Sequence, residues 1–216
     1  MHGSETISPW VARWAHLVPA GGAVLDVACG LGRHALHFSR LNHPVALVDR
    51  AQAAIESVAN QLPVGSQCIT ADIENGPWPF MDAAGQPQQF AGVVVTNYLW
   101  RALLPTMTAS LVPGGVLIYE TFAAGNETVG KPSRPDFLLQ PGELLATCVG
   151  LRVVAYEDGF IDNPARYVQR IVAVREPIHA AAQQRTLTLG AIDSANAPAH
   201  QNTAHPSSMA PPRYAL

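Results

Sequence analysis

The sequence is short of charge, of cysteine and of long apolar runs, and each shortage removes a class of function. Only 13% of the 216 residues are Asp, Glu, Lys or Arg, and the formal net charge is -3. A chain with no basic excess has little electrostatic reason to wrap duplex nucleic acid, so nucleic acid is not an expected partner. The three cysteines, Cys29, Cys68 and Cys148, form no C-x-x-C pair and are odd in number. That usage suits free thiols in a reducing compartment, and a cytoplasmic location is expected. No apolar stretch approaches the roughly 20 residues that span a bilayer. The opening MHGSETISPW has no basic region followed by an apolar one, so no signal peptide is expected either.

What is present is a generous supply of core residues, 48% hydrophobic, arranged in short runs. Ile7, Trp10, Val11, Trp14 and Val18 recur at helical spacing and predict an N-terminal helix within residues 1–20. Strands and helices then alternate. Strands are expected over Ala23–Ala28, Val45–Asp49, Gln67–Asp72, Gly92–Thr96 and Val116–Phe122. Helices are expected over Arg33–Leu41, Gln52–Leu62, Arg101–Leu111 and Pro141–Val149. Leu151–Tyr156 and Tyr167–Arg175 close the pattern as two strands with no helix between them.

Short β-branched runs separated by helices predict a parallel sheet covered on both faces. The final pair requires one strand to run antiparallel. The expected fold is therefore α/β, a doubly wound, Rossmann-like, seven-stranded sheet over residues 1–177, with one antiparallel strand near the C-terminus. Residues 123–140 are too long for an ordinary connection and are a candidate substrate lid, with Gly125 and Gly130 as its hinges. Residues 178–216, rich in Ala, Gln, Asn, Pro, Ser and His, read as a disordered tail in which Thr186–Ile192 could add one short strand.

The chemistry is concentrated in VLDVACGLGRHALHFSRLNHPVALVD, residues 24–49: a strand, a glycine turn, a helix, and a second strand ending in an acid. Gly30-Leu31-Gly32-Arg33-His34-Ala35 fits the loose dinucleotide pattern. Yet Asp26 precedes the turn, and a carboxylate facing two phosphates would be repelled by a few kcal/mol at about 4–6 Å and an effective dielectric near 20. S-adenosylmethionine carries no phosphate and offers an ammonium group instead, so Asp26 favours that ligand. Gly30 and Gly32 give the backbone close access. Asp49 is placed to accept the ribose hydroxyls, Asp72 to accept the adenine amine, and the Ile73 N–H to reach a ring nitrogen.

The run LDVACGLGRHA, the acid of ALVDR, the ADIE segment and the strand LVPGGVLIYETF together resemble the class I S-adenosylmethionine-dependent methyltransferases, over roughly residues 20–175. Within that family the glycine unit is most similar to small-molecule enzymes of the tellurite-resistance and thiopurine type. Ala28 stands where the family's D-x-G-x-G-x-G loop often has glycine. The resemblance implies S-adenosylmethionine as cofactor, held by Asp26, Ala28, Gly30, Gly32, Arg33, Asp49, Arg50, Asp72, Ile73 and Asn97.

Methyl transfer from a sulfonium mainly requires alignment, and a base only for a poor nucleophile. The residues after the fourth strand, Thr96-Asn97-Tyr98, should face the methyl group. They lack the prolines of the [DN]-P-P-[YF] motif that serves exocyclic amines of bases, which argues against that chemistry. Candidate catalytic groups are Asn97, Tyr98 and Glu120; the plain alternatives are a turn residue, a packing ring and a polar group closing the sheet. Tyr98, Lys131, Arg134 and Phe137 are candidates for acceptor binding, the two cations suiting a carboxylate or phosphate. His34 and His37 lack a third ligand, so no metal is expected. The expected activity is methylation of a small molecule. The alternatives are an RNA or protein acceptor, or a cofactor-binding partner subunit without catalysis.

Overall fold

The computed structural model describes residues 6–177; the expectations for residues 178–216 lie outside that range. Seven strands form a single sheet in the order β3-β2-β1-β4-β5-β7-β6. They are β1 (Val24–Val27), β2 (Val45–Asp49), β3 (Gln67–Thr70), β4 (Phe90–Thr96), β5 (Leu111–Phe122), β6 (Arg152–Asp162) and β7 (Ala165–Val174). β1 to β5 pair in parallel, while β7 runs antiparallel to both β5 and β6. The helices are α1 (Pro9–Trp14), α2 (Arg33–Arg40), α3 (Gln52–Ala59), α4 (Leu104–Ala109) and α5 (Glu143–Thr147).

The central strands are buried along their whole length because helices cover both faces, which is why they read as unbroken Val/Leu runs. Leu25, Val27, Val93, Val95, Leu117 and Tyr119 belong to the main core cluster. At the N-terminus, the Ser8 hydroxyl accepts the N–H groups of Trp10 and Val11, Pro9 opens α1, and Trp10 and Trp14 are buried.

Three elements differ most from their expected bounds. β5 begins at Leu111, and Pro113-Gly114-Gly115 is an irregularity inside it, with the register passing from Phe90–Leu111 to Gly92–Val116. A side chain at Gly115 would strike the Val112 and Phe90 carbonyl oxygens at 2.8 and 3.0 Å. The helix expected over Arg101–Leu111 is a 3-10 turn, Arg101–Leu103, followed by the short α4. β6 and β7 extend well past Tyr156 as an exposed two-stranded ribbon, joined at Asn163-Pro164. Cross-strand pairs hold it: Arg170 with Glu157 at 3.2 Å, and the Phe160 and Tyr167 rings 5.1 Å apart.

Candidate active site

The strand order reverses between β1 and β4, and in such sheets ligands collect at the carboxyl ends of the strands beside that point. The loop leaving β1 is built from left-handed residues: Ala28, Gly30 and Gly32 have φ of 51°, 55° and 69°. Ala28 accepts this conformation at a cost of about 1–2 kcal/mol, one that glycine would avoid. The two glycines act differently. A Cβ on Gly30 would meet no atom within 4 Å, so this position faces open space. A Cβ on Gly32 would strike Val58 Cγ2 at 2.3 Å. Gly32 therefore serves the packing of α2 on α3, which corrects its expected role at the ligand.

Asp49, at the end of β2, fixes the loop: its Oδ2 accepts the Gly30 N–H at 2.8 Å and its Oδ1 the Ala51 N–H at 2.9 Å. Beside it lies a cavity of about 140 Å³ whose walls include Ala28, Asp49, Arg50, Asp72 and Ile73, five of the expected cofactor residues, with Glu74 and Tyr98. Asp72 Oδ1 accepts the N–H groups of Glu74 and Asn75, and its Oδ2 accepts the Asn75 amide at 2.9 Å. These hydrogen bonds, that of the Asn75 side chain foremost, hold its proton affinity below the usual carboxylate range. No described residue accepts the Ile73 N–H, which leaves it available to a ring nitrogen. Three carboxylates and one guanidinium around this space suit an adenosine and oppose a pyrophosphate.

Asp26 does not line this cavity. It is 2% exposed, and its Oδ2 accepts the Ala35 N–H at 3.0 Å. The reason is local: Gly32 occupies the N-cap of α2 without a side chain, so an orphan N–H of the first turn takes a carboxylate from the strand below. Burial pushes Asp26 up to about 7, against a smaller opposing effect of that hydrogen bond. The expected contact of Asp26 with the cofactor's ammonium is thus corrected. The carboxylates that do line the cavity are Asp49, Asp72 and Glu74.

His34, 3.9 Å from Asp26, accepts the Ser8 N–H at 3.3 Å; burial, aided by Arg33 and His37, drives it down to about 3, so it is neutral. Arg33 donates to the Thr6 carbonyl and to Thr96 Oγ1, at 3.3 and 3.4 Å, and lines neither of the two cavities described in this section. Burial and the charge of Asp26 push the Cys29 thiol far up, which excludes it as a nucleophile.

Glu120 is likewise not placed as a base. It is 1% exposed, lies 2.6 Å from Arg170 and 3.8 Å from Arg166, and accepts the Ser8 hydroxyl at 2.9 Å. It joins the N-terminal segment to the β7 arginines on the sheet face opposite Tyr119. Glu120 does not reveal this through sequence spacing, because its arginine partners lie on a distant element.

A second cavity, of about 730 Å³, adjoins the first and shares Arg50, Glu74 and Tyr98 with it. Its inner end carries Asn97, which is left-handed at φ 54° and gives its N–H to the Glu120 carbonyl at 2.9 Å. Its outer wall carries Lys131, Arg134 and Phe137, so all four expected acceptor residues line one space. Asn97, expected among the cofactor residues and as a catalytic candidate, lines this cavity and not the smaller one. Lys131 is the chain's single lysine. Arg134 is paired with Asp136 at 2.7 Å and stacks over Phe137 at 5.1 Å. Glu74 was missed by sequence reading, although it stands two residues after Asp72 in the same ADIE segment.

In this structure the insertion is tied to the rest of the domain at several points. A Cβ on Gly125 would lie 3.0 Å from the Tyr167 ring. The buried Asn126 donates to the Pro132 carbonyl at 2.9 Å and accepts the Tyr167 N–H at 3.2 Å. Arg101 makes two bonds to Glu143, 2.7 and 3.0 Å, and further bonds to the Asp136 and Leu138 carbonyls.

Comparison with known proteins defines the class. Residues 24–115 match the family model described as a methyltransferase domain. No curated protein matches the chain. Among solved structures it resembles TehB from Haemophilus influenzae, with 19% identity and a TM-score of 0.61 over 81% of this chain and 64% of that one. It also resembles a TehB-like S-adenosylmethionine-dependent methyltransferase from Corynebacterium glutamicum (18%, 0.56, 77% and 87%). A third likeness is to the glycopeptide N-methyltransferase MtfA (18%, 0.54, 82% and 92%), which has been solved with sinefungin and with S-adenosylhomocysteine. Family model and fold agree as far as each reaches: residues 24–115 match a methyltransferase domain, and the sheet has the fold of the S-adenosylmethionine-dependent methyltransferases it resembles.

Proposed function

We propose that the protein methylates a small-molecule acceptor that carries an anionic group. The observation that supports this reading is the adjoining pair of cavities. The smaller presents the donors and acceptors an adenosine needs; the larger, near 730 Å³, falls in the size range of small-molecule sites and has Lys131 and Arg134 on its wall. S-adenosylmethionine supplies an activated methyl group on sulfur. The protein's task is to bring the nucleophile in line with it. In this reading Asp49, Asp72 and the Ile73 N–H hold the adenosine, with Ala28, Gly30 and Arg50 beside it. Lys131 and Arg134 bind the acceptor's anion, Phe137 covers its apolar part, and Asn97 and Tyr98 meet the reacting end.

The anchored insertion suits an acceptor small enough to enter a preformed space. The MtfA likeness shows that this fold also accommodates methylation of a nitrogen on a much larger substrate. The test is to incubate the purified chain with methyl-labelled cofactor and a metabolite extract and to identify labelled products by mass spectrometry. A labelled anionic metabolite is the expected result. Labelling confined to RNA or protein added in parallel would overturn it.

A further inference from the structure

Glu74 has no part in the acceptor reading so far, yet it lines both cavities and therefore stands where cofactor and acceptor meet. Its position is fixed by the turn that Asp72 caps: Asp72 Oδ1 holds the Glu74 N–H at 3.0 Å, and the Gly76 N–H returns to the Asp72 carbonyl at 2.8 Å. The Tyr98 hydroxyl, buried beside it, makes no hydrogen bond of acceptable geometry within the protein. Burial, followed by the charge of Glu74, raises its proton affinity. Arg50 is the one cation shared by the two cavities, and it is also drawn on by Asp72.

We propose that Glu74 is the residue that selects and positions the reacting atom of the acceptor, and that this atom is an amine nitrogen, bound as the ammonium and giving one proton to solvent before its lone pair attacks. The inference rests on the reading of the larger cavity as the acceptor site, and it adds the chemical class: an amine at the Glu74 end, a carboxylate or phosphate at the Lys131 end.

The argument follows the charge that develops during transfer. The amine lone pair forms the new N–C bond as the C–S bond breaks and its electron pair stays on sulfur. Nitrogen becomes positively charged and then releases one proton to solvent. A fixed carboxylate beside that nitrogen stabilises the charge as it appears. The same carboxylate opposes an anionic nucleophile, such as a thiolate or a metalloid oxyanion, because it repels the reactant and gains nothing in the transition state. Asn97, at the same end, can accept a second N–H through its amide oxygen. Lys131 and Arg134, which line the larger cavity but not the smaller, supply the opposite charge for the acceptor's anion.

The test uses binding, so no natural acceptor is needed. The full chain, saturated with S-adenosylhomocysteine, is titrated calorimetrically with aminoalkyl phosphates of two to six methylenes, each against the alkyl phosphate lacking the amine. In the wild type, at least one chain length should bind tenfold or more tightly than its amine-free partner. In Glu74→Gln that preference should vanish while the alkyl phosphate still binds and the melting temperature stays unchanged. Lys131→Ala should weaken both members of each pair equally. Equal affinity for every pair in the wild type, or a preference that survives in Glu74→Gln, overturns the proposal while leaving the anion site intact. Failure of all phosphates to bind the loaded protein overturns both the proposal and the acceptor reading beneath it.

Discussion

Asp26 provides the sharpest test of how the glycine loop is built, because a ligand-facing carboxylate and a carboxylate buried under α2 respond oppositely to neutralisation. Its ordinary value is 3.8 and burial carries it to about 7 in the folded protein. Between those limits the folded state keeps a proton that the unfolded chain has released, so stability falls as pH rises through that window. Above about 7 the whole cost of the buried charge is present. Each pH unit is worth about 1.4 kcal/mol, so the cost is about 4 kcal/mol at most. Asp26→Asn removes it while keeping an oxygen for the Ala35 N–H.

The amide NH2 faces the His34 ring, which adds an offset that does not vary with pH. His34 itself has the opposite sign: its value falls from 6.5 to about 3, so its contribution is lost as pH drops from 6.5 toward 3. That loss is common to both proteins and cancels in their difference. The stability of Asp26→Asn relative to wild type should therefore rise by about 3 kcal/mol between pH 5 and pH 8, at about 1.4 kcal/mol per unit up to pH 7. For a domain of this size that is a relative gain of about 6–12 °C in Tm. Thermal melts at half-unit steps would show it. A difference that stays flat with pH would mean the carboxylate is ionised throughout and well solvated. A hundredfold loss of S-adenosylhomocysteine affinity with the fold intact would return Asp26 to the ligand.

The sequence made the order of strands and helices legible because each central strand is a buried β-branched run bounded by glycine, proline or polar residues. The cofactor cavity was legible for a related reason: Asp49 and Asp72 close their strands, and strand ends in this topology converge. Asp26 was not legible in the same way. A strand covered on both faces has no polar side to mark direction, and Asp26 simply points opposite to Leu25 and Val27, which join the main core. Glu120 stayed open between a base and a polar group closing the sheet, because its arginine partners lie some fifty residues away in sequence. β6 looked short because Glu157-Asp158-Gly159 reads as a loop; only the facing residues of β7 reveal the ribbon. The insertion's ties to the domain, Asn126 to Tyr167 and Arg101 to Glu143, are long-range contacts that composition does not encode.

Three further outcomes are expected. Gly30→Ala should abolish measurable S-adenosylhomocysteine binding while costing only about 1–2 kcal/mol of stability, from the left-handed backbone alone. Gly32→Ala should instead lower Tm by clearly more than Gly30→Ala does, because it adds the 2.3 Å clash with Val58 to the same backbone cost; equal melting temperatures in the two variants would refute the division of roles. Asp49→Ala should weaken S-adenosylhomocysteine by about 2–3 kcal/mol, roughly 30- to 150-fold in Kd, and lower Tm by a few degrees as the Gly30 and Ala51 N–H groups lose their acceptor. Unchanged affinity by calorimetry would displace the ribose from this cavity. The last concerns the outer wall. Lys131→Ala with Arg134→Ala should leave cofactor affinity intact, since neither residue lines the smaller cavity. With an anionic acceptor in hand, kcat/KM should fall by at least tenfold, from losing a charge-assisted contact worth roughly 1.5–3 kcal/mol. Most of that loss should appear in Lys131→Ala alone, because Arg134 already satisfies Asp136 at the exposed rim and Lys131 has no such partner among the described residues. If Arg134→Ala carries the larger effect, the anion sits at the rim beside Phe137 and not above Lys131. If neither variant changes kcat/KM, the wall is solvated surface and the acceptor's polarity is set elsewhere.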